Sequence, residues 1–200
     1  MITARKAWNW LVEEWQWPKA ALFCGLSTTL LLLALLPQLK LTLFLICLQL
    51  PFYMIHQFEE HYEDRFRKFF NQQLGQGKEV LTPANTFIIN SVFVWGVDLT
   101  AIYLAVFINP MLGLIAAYLT IVNAGVHVLQ AVLTLSYNPG LGTGLVMFIP
   151  AGGYCIYTLS ENSCNSWEYH AVALAIGILI HVGIIIHVRL RLGKLKAVAP

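Results

Sequence analysis

The residues of this chain best suited to chemistry lie in one stretch, His56-Gln57-Phe58-Glu59-Glu60-His61, near the end of a hydrophobic run that begins at about Leu41. An ionisable side chain in hydrocarbon costs between about 2.5 and well above 10 kcal/mol unless it snorkels, pairs or binds something. A spanning segment outside a closed barrel must be helical, and in a helix His56 meets Glu59 at i+3 and Glu60 at i+4 on one face. One imidazole beside two carboxylates suits a divalent metal or acid/base work. His61 falls roughly 140° round the helix from His56 and is expected outside that site. The alternative reading is that Glu59, Glu60, His61, Glu63 and Asp64 have simply reached the headgroup layer, with Arg65, Arg67 and Lys68 following.

Polar residues recur at matching depths farther along the chain, counting about 1.5 Å of rise per residue. His127 and His181 each lie about two turns short of the membrane face that His56 approaches, and Asn90 lies about two turns in from it. Asn123, His127, Gln130 and Thr134 form one helical stripe, flanked by Ala124, Gly125 and Ala131, which permit close helix approach. His170 and His181 are about 20° apart round their segment. Such stripes are costly against lipid, so both are expected to face the bundle interior.

The expected metal site is therefore His56, Glu59 and/or Glu60, and His127, with His181 as a further ligand or its support. Glu59 or Glu60 would act as base where it is not a ligand. Histidine nitrogen with carboxylate oxygen suits zinc, or iron or manganese. Asn90 and Asn123 are expected to orient ligands, since ligating imidazoles usually give their other N–H to a partner. Asp98 lies two turns beyond Asn90, deeper in the same cavity. It is expected either to bond Ser91, Thr100 or Tyr154, or to serve a proton relay or substrate contact. His170 and His187, near the ends of their segment, are expected at the interfaces.

The elements that must hold these groups follow from composition. Of 200 residues 58% are hydrophobic and only 11% charged, with mean hydropathy +0.68; a soluble domain carries about 25% charged residues. The expected class is all-α: a polytopic integral membrane bundle of about six transmembrane helices with an N-terminal interfacial amphipathic helix. Residues 1–19 form the interfacial helix, with Trp8, Leu11, Val12 and Trp15 on one face. Residues 20–190 form the transmembrane domain and 191–200 a cytoplasmic tail.

Six hydrophobic segments run from Ala20 to Leu36, Leu41 to Phe58 with the helix continuing to about Phe70, Ala84 to Ile108, Met111 to Ser136, Gly144 to Leu159, and Trp167 to Val188. The fifth, interrupted by Pro150 and Gly152-Gly153, either spans or re-enters. With both termini cytoplasmic, every Lys and Arg except Lys40 falls on the cytoplasmic side. That places the protein in a cell inner or plasma membrane and His56 in the cytoplasmic half.

His56-x-x-Glu59-Glu60, the later His127 and the turn Tyr137-Asn138-Pro139-Gly140 together resemble the HXXEE family of small membrane-embedded proteins, over roughly residues 40–190. The resemblance implies a multi-helix membrane domain, singles out His56, Glu59 and Glu60, and carries no settled activity. The zinc-protease pattern His-x-x-Glu-His fails here, because Glu60 stands where the second His is required.

Three function classes remain: a metalloenzyme acting on a lipophilic substrate, a metal-independent isomerase or cyclase using His and Glu in an apolar pocket, and a carrier or sensor of metal ions or small lipids. Membrane lipid is the expected partner, and nucleic-acid binding is excluded. Cys24 and Cys47 read as packing residues, and Cys155 with Cys164 could bridge in an oxidising space. The Tyr137–Gly140 turn lies over the expected site, where a tight turn or a lid would serve.

Overall fold

The computed structural model describes residues 3–161 and 167–197. Among these the chain is helical and contains no strand. Six helices are long and apolar enough to cross a membrane, making the protein a polytopic helical bundle. A short helix α1 (Ala4–Asn9), N-capped by Thr3, precedes them. The bundle then comprises α2 (Trp17–Leu35), α3 (Leu41–His61), the short α4 (Arg65–Gln73), α5 (Pro83–Phe107), α6 (Pro110–Thr134), α7 (Leu141–Glu161) and α8 (Trp167–Ala197).

The fifth hydrophobic segment is one continuous helix of 21 residues, Leu141–Glu161, long enough to span. Pro150 is accommodated because it follows a π-helical turn, Gly144–Phe148, where the backbone pattern already departs from α. The expected continuation of α3 to about Phe70 is corrected. That helix ends at His61, and the chain kinks where Glu63 and Asp64 adopt φ of +56° and +64°. Arg67 bonds both Asp64 and Glu79, with Nη1 2.6 Å from Glu79 Oε1, and so holds the kink closed. The kink turns α4 back over the end of the bundle, so that Phe66 packs on His61 and His127 while Phe70 clusters with Val80, Leu81 and Val188.

Small residues set the closest helix approaches. A Cβ at Gly25 would meet Pro51 O at 2.8 Å, and one at Gly177 would meet Tyr118 O at 3.2 Å, so α2 lies directly on α3 and α8 on α6. At one end the core is wholly apolar, built from Phe44, Leu45, Ile46, Leu114 and Leu159. At the other end, α8 runs on through Ala197. There Arg191 Nε donates to Glu79 O and Lys78 Nζ to Leu195 O, docking the helix on the segment after α4. Val12 of the N-terminal segment is buried, while Trp8, Trp10 and Trp15 remain exposed. Cys164 lies outside the described residues, and with it the Cys155–Cys164 bridge.

Candidate metal centre at the end of the second span

Glu60 sits in the last turn of α3 and is buried at 4% exposure. Three imidazoles surround its carboxylate. His127 Nε2 lies 3.1 Å from Oε1, while His61 Nε2 at 3.1 Å and His56 Nε2 at 3.5 Å face Oε2. The rings of His56 and His127 meet edge to face with centroids 5.1 Å apart. His56, Glu60 and His127 each offer an atom within 4.8 Å of the others, which makes them a group able to hold a metal ion. A tetrahedral ion with bonds near 2.0 Å needs ligand atoms about 3.3 Å apart. The three atoms, within 4.8 Å of one another, must close somewhat to hold such an ion.

The hydrogen bonds behind the two imidazoles decide which nitrogens face inward. His127 Nδ1 lies 2.6 Å from Asn138 Oδ1, and Asn138 Nδ2 donates back to His127 O at 2.9 Å. An amide oxygen only accepts, so His127 carries its proton on Nδ1. His56 Nδ1 lies 2.7 Å from Thr143 Oγ1, whose hydroxyl donates to Glu59 Oε2 at 2.5 Å. That oxygen has spent its hydrogen on Glu59, so it accepts from His56 Nδ1–H. Both rings are thereby held as tautomers with Nε2 toward Glu60, the arrangement that carboxylate or amide partners impose on metal-ligating histidines. His56 Nε2 makes no hydrogen bond of its own among the described residues.

Glu59 does a different job from its neighbour. Besides the Thr143 hydroxyl it accepts from Thr143 N at 2.7 Å, Gly142 N at 3.0 Å and Tyr137 Oη at 2.5 Å. It therefore caps the N-terminus of α7, where free N–H groups and the helix dipole favour an anion. The Tyr137 phenol is pushed up to about 12 by partial burial and by the carboxylate it bonds. Glu59 thus ties the turn after α6 to α3 and positions Thr143 behind His56. Gly140 closes that turn with φ +103°. A Cβ there would come within 2.5 Å of His127 Cε1 and 2.8 Å of Glu60 Cγ, so only glycine lets the backbone lie this close over the centre.

The remaining expected residues fall at graded distances from this point. His181 bonds Gly177 O through Nδ1 at 2.8 Å and lines the cavity that Glu60 and His127 also line, outside the group of three that could hold an ion. Asn90 turns to Gln57, whose Nε2 reaches its O and Oδ1 and whose Oε1 accepts from Trp95 Nε1, so it braces α3 against α5. Asn123 lines the cavity with its Oδ1 unbonded. Asp98 is fully buried, and neither of its oxygens is bonded among the described residues. Ser91 and Thr100 each bond their own helix instead, to Phe87 O and Gly96 O. His170 pairs with Tyr118 and Ser160, and His187 with Asn85.

Three contributors were not read from the sequence. His61 was expected elsewhere because an uninterrupted helix turns it about 140° from His56. It is nevertheless buried against Trp17 and Phe66, and Glu60 bends between the two rings. Asn138 lies 11 positions beyond His127 and Thr143 lies 87 beyond His56, and each reaches its histidine only because the turn folds back; the Asn-Pro-Gly sequence was the one local sign.

A family model described as "Protein of unknown function with HXXEE motif" matches residues 47–155, a stretch that holds His56, Glu59, Glu60, His127, Asn138 and Thr143. No curated protein and no solved structure matches the chain.

Proposed function

The chain belongs to the family of proteins of unknown function with the HXXEE motif, and from that premise we propose a membrane-embedded metalloenzyme that acts on a lipophilic substrate. The observation that carries this reading is the convergence of two imidazole Nε2 atoms on one buried carboxylate, each ring held from behind in the tautomer that leaves Nε2 for a ligand bond. Lone pairs of three groups directed at one point repel unless a cation gathers them. Two histidines and one carboxylate form the donor set used for catalytic zinc and for iron(II) oxygen chemistry, both of which keep coordination positions open. A metal bound there supplies a Lewis acid able to polarise a carbonyl or to activate water or oxygen.

The chain's own groups divide the remaining work. Asn138 and Thr143 orient the ligand rings, Glu59 fixes Thr143, and the Tyr137–Gly140 turn with Phe66 covers the centre against water. His61 stands beside the outer oxygen of Glu60, with neither ring nitrogen hydrogen-bonded. It is the side chain placed to take or give a proton there. On the distribution of Lys and Arg, the centre faces the cytoplasmic side.

The 3.1 Å separation of His127 Nε2 from Glu60 Oε1 also fits a proton shared between them, which is the geometry a metal-free acid/base isomerase would use. Elemental analysis of the purified protein separates the two readings. The metalloenzyme reading expects about one zinc, iron or manganese per chain, lost in His127→Ala and Glu60→Gln. A protein equally free of metal with and without those substitutions would dispose of it. Turnover of a lipid panel by the metal-loaded protein then distinguishes an enzyme from a carrier.

A further inference from the structure

Two neighbouring cavities share five lining residues, and the first of them borders the metal centre. The first, about 380 Å³, is lined by Glu60, His127, His181 and Asn123, by Thr86 and Asn90 of α5, by further uncharged polar groups and by apolar side chains. The second, about 430 Å³, continues between α5 and α8 past Phe93, Val97, Leu179 and Gly183. Ile89, Val94, Leu119, Ile180 and Ile184 wall both, with the fully buried Leu119 as their floor. At the rim Phe93 is 63% and Leu179 67% exposed. In a bundle whose outer surface meets lipid, this groove opens sideways into hydrocarbon.

The polarity along the groove is one-sided. Gln73, Gln130 and Thr134 end the first cavity with uncharged hydrogen-bonding groups. Gln130 and Thr134 follow His127 by roughly 5 and 10 Å along α6, while Leu119 lies about 12 Å the other way. Beyond Asn123 the walls toward Val97 and Leu179 are apolar, broken only where Asn85 and His187 bond across one edge. A ligand matching this profile has a polar head at one end, a reactive bond close to it, and a long hydrocarbon tail.

We infer that the groove takes the hydrocarbon chain of a long-chain acyl lipid, entering from the bilayer between α5 and α8 with its head at Gln73, Gln130 and Thr134. The bond offered to Glu60 and His127 then lies near the head rather than in mid-chain. This inference rests on the metalloenzyme reading and adds its substrate class and the position of attack. Moving the tail from bilayer to groove gains little, because lipid tails are as apolar as the leucines that replace them. Affinity therefore resides in the head contacts, and selection among chains in the shape of the groove.

The test uses the full chain in phospholipid vesicles and two photoreactive fatty acids, one with a diazirine at the chain end and one with it beside the carboxyl. The chain-end probe should label peptides containing Phe93, Val97 or Leu179, and the near-head probe those containing Gln130 or Thr134. A Cβ at Gly183 would meet no heavy atom within 4 Å, so Gly183→Trp can place its ring in the groove without displacing the backbone. Chain-end labelling should then fall by roughly tenfold or more, with near-head labelling and metal content retained. Should Gly183→Trp fail to fold, Val97→Trp blocks the same passage from α5.

Unchanged labelling in these variants, or both probes confined to outward residues such as Leu30, overturns the groove. Metal content read on the same samples keeps the two ideas apart. Groove labelling without metal defeats the metal centre alone, and metal without groove labelling defeats the acyl lipid alone.

Discussion

Glu60 and Asp98 are both carboxyls buried within membrane-spanning helices, and they differ completely in company. Glu60 has three imidazoles within 3.5 Å, and two of those are held from behind by Asn138 and by Thr143 with Glu59. Asp98 has no hydrogen-bond partner for either oxygen among the described residues. Its neighbours on the same helix face, Val94, Ala101 and Ala105, are buried and apolar. The difference teaches that an ionisable residue in a span marks a place needing explanation, whereas chemistry needs groups from separate elements to converge there. Glu60 gains its company from the end of α3, the middle of α6 and the turn before α7; Asp98 projects from mid-helix, where no turn can bring a loop to it.

The largest expected effect tests the populated side of this comparison. Glu60→Gln or His127→Ala should remove essentially all bound metal by elemental analysis. Either also leaves buried polar groups unmatched, at a cost of roughly 3–5 kcal/mol, visible as a lowered midpoint of thermal unfolding. Next comes the support behind the ligands. Asn138→Ala frees the His127 ring and should weaken metal affinity about 10- to 100-fold in a chelator competition, with the helical content unchanged. Affinity equal to the parent protein would mean that the Asn138 bond does not prepare the ring.

Gly140→Ala combines an unfavourable φ with contact against His127 and Glu60. It should cost on the order of 1–3 kcal/mol and displace the turn, read as lower thermal stability together with poorer metal retention.

Smaller still is the contribution of Tyr137. Its phenol is raised to about 12, so the fold favours the neutral hydroxyl. That contribution is complete below the ordinary tyrosine range near pH 10 and is lost as pH rises through about 12. An ultraviolet titration should show one phenol ionising near pH 12 that is absent in Tyr137→Phe. Ionisation in the ordinary range would mean that the bond to Glu59 does not hold in solution. The smallest effect belongs to Asp98. Asp98→Asn should leave metal content unchanged and alter stability by no more than about 1 kcal/mol, since no bond is broken. Loss of metal in that variant would erase the distinction between the two carboxyls.

Much of this was legible before any coordinates. Charge depletion and the spacing of turn residues gave six spans, and the cost of polar groups in oil pointed to His56, Glu59, Glu60, His127 and His181, of which His56, Glu60 and His127 form the group that could hold an ion. The division of labour between Glu59 and Glu60 was not legible. Adjacent carboxylates near one face look equivalent by helical angle, and only the position of the α7 N-terminus turns Glu59 into a cap. His61 stays outside the group of three, as its angle suggests, yet its Nε2 lies 3.1 Å from Glu60 Oε2, a contact that helical angle alone does not show.

The amino-acid order alone determined that the chain lives in a bilayer and which side chains are too polar to be left there unaccompanied, because hydropathy and helical period are local quantities. Tertiary structure decided which of those side chains meet, which ring nitrogen each histidine presents and which carboxylate is free to bind. Those outcomes depend on where a kink after His61 and a glycine turn at Gly140 fold the chain back, and contacts between residues more than eighty positions apart, such as Glu59 with Thr143, are written in no local pattern.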